Sequence, residues 1–166
     1  MTYAINPPVI GVDVAAAPVT VPIWPVGQSV QLNDGSRWTY LKASATIAQY
    51  AVCVSVDNAT TQGVTSTLGL RGMALCIAQQ AYTSGQYGWF LLSNPLGSTT
   101  YKVRVAASCA IDAKLATTAN AGTLDDTTAG TVLRVDGIAL TDSQPSGSSG
   151  SRTFRTSQFP LGWGAV

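Results

Sequence analysis

Thr99-Thr100-Tyr101-Lys102-Val103-Arg104-Val105-Ala106-Ala107 alternates apolar and charged side chains with a period of two. Tyr101, Val103 and Val105 point one way, and Lys102 and Arg104 the other, which is the pattern of a half-buried strand. Upstream, Tyr87-Gly88-Trp89-Phe90-Leu91-Leu92 lies between the turn stretches Thr83–Gln86 and Ser93–Gly97. In Met73–Gln79, Met73, Leu75 and Ile77 alternate with Ala74, Cys76 and Ala78. Tyr50–Val56 alternates valines with Ala51, Cys53 and Ser55, and Asp57–Gly63 after it reads as a loop. Further back, Gln28–Leu32 and Ser36–Lys42 flank Asn33-Asp34-Gly35, a strong hairpin signal, with Trp38 and Tyr40 on one face. Downstream, Thr131–Leu140 predicts a last long strand whose phase shifts at Asp136-Gly137. The rival element is Ala106–Ala121, where the spacing of Ala107, Ile111 and Leu115 suits a short helix. Strands recurring with turn chemistry between them predict a mainly β fold, a small β-barrel or sandwich, with no helix beyond about 12 residues.

Composition narrows the chemistry. The chain has 166 residues, a net charge of +1 and only 10% charged residues, against about 25% in an average protein. All eight acidic residues are Asp, and there is no His. Ser/His/Asp and Cys/His catalysis are therefore impossible, and the commonest metal ligand is missing. No nucleotide-binding or nucleophile-elbow motif is present. An enzyme is not expected, nor is a cofactor. Asp125-Asp126 sets two carboxylates side by side, but with no spaced Asp ladder the expected metal content is none. Nine scattered basic residues make no stripe for nucleic acid, and no apolar run is long enough to form a membrane-spanning helix. Cys53, Cys76 and Cys109 are widely spaced and odd in number, which predicts reduced, buried thiols rather than a disulfide framework. The first residues lack the basic start and apolar core of a secretory signal, so synthesis in a cytoplasm is expected.

The two ends differ from the middle. Residues 1–26 carry Pro7, Pro8, Pro18, Pro22 and Pro25 among Val9, Ile10, Val12, Val14, Val19, Val21, Ile23 and Trp24. Proline at that density excludes a helix or a central strand, yet the segment is too apolar to stay solvated. It reads as an extended arm, lying either on the chain's own core or on another subunit. Residues 27–142 form the β domain. Residues 143–166 combine a Gly/Ser linker, Ser143–Ser151, with an aromatic tail containing Phe154, Phe159 and Trp163. Arm and tail supply the candidate contact residues: Val9, Ile10, Val12, Val14, Val19, Val21, Ile23, Trp24, Phe154, Phe159 and Trp163.

Three stretches of the middle also carry a resemblance. They are Gln31–Ala43, Arg71–Ala78 running through Gly85-Gln86-Tyr87-Gly88-Trp89-Phe90, and Gly122–Asp126 leading to Gly137–Leu140. Over roughly residues 28–142 the chain resembles the small β-barrel head-decoration, or cement, proteins of tailed bacteriophages. The resemblance implies a structural protein of the virion, made in the host cytoplasm and bound to the outer capsid surface. Its implied partners are the major capsid protein and further copies of itself, most often as a homotrimer, with no nucleic acid and no membrane. An alternative is a receptor- or carbohydrate-binding fibre or adhesin module, using Trp38, Tyr40, Tyr87, Trp89, Phe90 and Tyr101 as a stacking platform.

Overall fold

A computed structural model describes residues 11–55, 60–65, 74–127 and 133–156. The described residues form strands and turns without a helix: β1 (Ser29–Gln31), β2 (Arg37–Ala43), β3 (Val52–Ser55), β4 (Thr60–Gly63), β5 (Leu75–Ala78), β6 (Tyr87–Ser93), β7 (Lys102–Val105), β8 (Leu115–Thr117), β9 (Leu124–Asp125), β10 (Arg134–Val135), β11 (Ile138–Leu140) and β12 (Gly150–Thr156).

The first sheet runs β1-β2-β4-β3-β5-β6 and closes on itself because β2 also pairs with β6. The hairpin expected at Asn33-Asp34-Gly35 joins β1 to β2, with Val30 opposite Trp38. Its turn is made by Gly35 at φ 77°, whose N–H donates to the Leu32 carbonyl at 3.0 Å. The second sheet runs β10-β8-β9-β7-β12-β11. Its two outermost strands, β10 and β11, are consecutive in the chain. The phase shift read at Asp136-Gly137 is the corner between them, with Gly137 at φ 87°.

Period-two alternation explains how the layers pack. Trp38, Tyr40, Val52, Val54, Ile77, Trp89 and Leu91 of the first sheet share one core with Val103, Val105, Leu115, Leu124, Val135, Leu140 and Phe154 of the second. The intervening residues Leu41, Ala43, Cys53, Cys76, Ala78 and Phe90 form a second cluster, roofed by Ile47 and Tyr82. Ala43, Cys53, Cys76 and Ala78 keep part of that face low, and Tyr82 packs over it. Its ring stacks on Phe90 at 4.5 Å, and its hydroxyl donates to the Trp89 carbonyl at 2.9 Å. Cys53 and Cys76 are directly opposite each other across β3 and β5, and both are buried.

Hydrogen bonds join the sheets into one body. The Gln79 side-chain amide pairs with the Lys102 backbone as a strand would, donating at 2.9 Å and accepting at 3.1 Å. Arg104 N–H donates to the Tyr50 carbonyl at 2.7 Å. Asn94, fully buried, donates to the Phe154 carbonyl at 2.8 Å and fixes β6 against β12.

Three expectations need correction. Thr60–Gly63 belongs to a strand, not a loop: β4 pairs parallel with β2 and antiparallel with β3. Ala106–Ala121 is turns and a strand, not a helix. Ser108 and Asp112 adopt left-handed φ of 66° and 55°, which no helix interior permits. The Gly/Ser segment 143–151 is not a free linker. Gln144 is buried and donates to the Ser148 carbonyl at 2.8 Å, and Gly150–Thr156 lies between β7 and β11.

Candidate functional site

The arm crosses the first sheet over a nest of aromatic rings. Trp24 is half-buried, its ring 6.3 Å from that of Trp89. Trp89 meets Tyr40 edge-on at 5.2 Å, and Tyr40 stacks with Tyr87 at 6.4 Å. Such offset and edge contacts each add about 0.5–1.5 kcal/mol to the area they bury. The backbone is tied down beside them. Val19 and Tyr87 exchange N–H to carbonyl bonds of 3.0 and 2.7 Å, and Gly27 N–H donates to the Tyr40 carbonyl at 2.7 Å. Ile23 N–H donates to the Tyr40 hydroxyl at 3.3 Å, and the Gln80 amide donates to the Ala16 carbonyl at 2.9 Å.

This anchoring sorts the candidate contact residues by direction. Val12, Val14 and Trp24 pack against the shared core and are half-buried, as is Val19. Val21 and Ile23 face outward, 70% and 63% exposed, with Val26 at 37% beyond them. Pro22 and Pro25 are also exposed. The segment thus displays an apolar edge to solvent while one tryptophan pins it from beneath. Phe154 lies elsewhere, fully buried in the chain's own core on β12. Val9, Ile10, Phe159 and Trp163 lie outside the described residues.

The aromatic set read as an alternative stacking platform is mostly internal. Trp38, Tyr40, Trp89, Phe90 and Tyr101 are each at most 9% exposed; Tyr87 is half-buried, with Lys42 Nζ 5.7 Å from its ring centre.

Asp125 and Asp126 converge with Cys109, their ligand atoms lying within 4.8 Å of one another. Each is already engaged. The Cys109 thiol contacts the Asp125 carboxylate at 3.6 Å, and Asp126 accepts Ala110 N–H at 2.8 Å. Burial, aided by the two carboxylates, pushes the Cys109 thiol up to about 11. At neutral pH it is a protonated donor that ties its loop to β9.

A second cluster escaped the sequence reading. Tyr101 donates to Asp34 Oδ2 at 2.6 Å, Ser36 Oγ donates to Asp34 Oδ1 at 2.6 Å, and Trp38 Nε1 donates to Ser36 Oγ at 3.0 Å. Burial pulls the Asp34 carboxyl upward, but the hydrogen bonds from Ser36 and Tyr101 together hold it below its usual value. The Asn33-Asp34-Gly35 turn signalled a hairpin; nothing local signalled that its carboxylate reaches a tyrosine 67 residues away.

In comparisons with protein-family models, curated proteins and solved structures, the chain has no match.

Proposed function

We propose that the chain is a non-enzymatic capsid-decoration protein, which binds the outside of an assembled capsid and stabilises contacts between its subunits. The observation that carries this reading is the exposed Val21-Pro22-Ile23 edge on a fixed scaffold. Apolar side chains held outward by buried anchors are pre-ordered, so docking them forfeits little conformational entropy. Val21 and Ile23 together offer roughly 3 kcal/mol of gross burial energy, and a Kd of 1 mM already needs about 4 kcal/mol. One copy would fall off. Three linked copies would multiply the effect through effective concentration, which makes a homotrimer, on or off the capsid, the natural working unit. The sparse surface charge is consistent with a face spent on protein contacts. The test is to mix the purified chain with undecorated capsids of its cognate phage and sediment them. Recovery in the pellet at a fixed, saturable ratio is expected; a chain that stays in the supernatant while binding a glycan array would replace this reading with the adhesin one.

A further inference from the structure

The sequence contains two Asp-Gly steps, Asp34-Gly35 and Asp136-Gly137. In such a step the following backbone nitrogen can attack the aspartyl Cγ, because glycine has no side chain to obstruct it. The structure treats the two differently. At Asp34-Gly35 both reacting groups are held: the carboxylate accepts from Ser36 and Tyr101, and Gly35 N–H donates to the Leu32 carbonyl at 3.0 Å. At Asp136-Gly137 the carboxylate is only loosely held. The Asp136 side chain is 77% exposed, and its contact is Arg134 Nε at 2.8 Å, itself half-exposed, a kind of pair that restrains little.

We propose that Asp136-Gly137 is a site of spontaneous isoaspartate formation in the folded protein, and that Asp34-Gly35 is protected. The Gly137 nitrogen gives its proton to solvent and bonds to Asp136 Cγ, and a carboxyl oxygen leaves as water, closing a five-membered succinimide. Water then adds to one of the two ring carbonyls. Opening at Cγ restores aspartate. Opening at the main-chain carbonyl sends the peptide through the side chain and leaves the α-carboxylate free. Water lost is regained, and no oxidant or other reactant is needed. The product carries one extra methylene in the backbone at the corner between β10 and β11. Asp136, Gly137 and Ile138 also line a cavity of about 160 Å³ with Leu75, Ile77, Leu92 and Thr156, so the change reshapes the wall between the two sheets.

The test uses the full chain, aged in neutral buffer below its unfolding temperature in heavy-oxygen water, then digested and mapped by mass spectrometry. Peptides containing Asp136 are expected to yield a second species that carries one heavy oxygen and accepts a methyl group from an isoaspartyl methyltransferase. A transient species lighter by one water should precede it. Conversion at Asp136 should run several-fold faster than at Asp34 in folded protein, and the two rates should approach each other in denaturant. Tyr101→Phe, which releases one hold on Asp34, should raise conversion at Asp34 alone. Equal rates at the two steps in the folded chain, or no conversion at Asp136, would overturn the proposal.

Discussion

Asp34 and Tyr101 come from opposite sheets, and the 2.6 Å bond between them fastens the first hairpin to the start of β7. Hydrogen bonds to a carboxylate are stronger than neutral ones, but Asp34 is partly solvated, so removing one donor should cost about 1 kcal/mol. Tyr101→Phe should therefore lower the thermal midpoint by about 2–4 °C near neutral pH. The pH dependence has a definite sign. The Asp34 carboxyl is held below its usual value of 3.8 in the fold, so its contribution is complete above that value and disappears as pH falls below it. Thermal scans from pH 6 down to pH 2 should show the native protein and Tyr101→Phe converging in acid. A gap that stayed constant with pH would assign the loss to the neutral contact between the Tyr101 hydroxyl and Ser36 Oγ at 3.3 Å.

Among the elements, β6 is held on both edges. It pairs with both β2 and β5, and Gly88 within it lies beneath Tyr82. A methyl group there would come within 2.6 Å of the Tyr82 ring. Gly88→Ala should tilt that ring off Phe90 and cost about 1–3 kcal/mol, read as a lower denaturant midpoint with unchanged slope. The strands that were legible in sequence, around Trp38, Val54, Ile77, Phe90 and Val103, are those whose side chains alternate across a buried face. The illegible ones carry little side-chain signal. β4 is Thr-Thr-Gln-Gly, held by backbone pairing on both sides. In β8, Ala and Thr accompany a single leucine, so its three buried positions read as helix-compatible. β12 shows one inward aromatic, Phe154, in a polar run. Its place depends on Asn94 and Gln144, whose partners lie far away or within an apparent linker. The arm's content was legible, because proline and valine together imply an extended apolar segment. Which side chains face outward was not, since Tyr40 and Trp89, which anchor it, belong to other elements.

The whole molecule is two β layers fused by a shared core, with the last described strand inside the second layer, between β7 and β11. A chain stopped at residue 142 should fail to fold, and Phe154→Ala should cost about 3–5 kcal/mol, a large share of the stability of a typical domain. Calorimetry should then show a single lowered transition, not a separate early melt of the C-terminal segment. On this body the arm lies partly on its own subunit and presents Val21 and Ile23 beyond it. Deleting the arm is a blunt test, because it strips Trp24 from Trp89 as well. Val21→Asp combined with Ile23→Asp leaves those anchors in place and, as an exposed change, should alter stability by no more than about 0.5 kcal/mol per site. The direct measurement is the fraction of this double variant that sediments with undecorated capsids, beside the native chain at equal concentration. Attachment through the arm's exposed edge predicts that the native chain pellets and the folded double variant stays in the supernatant; equal recovery of the two would contradict it.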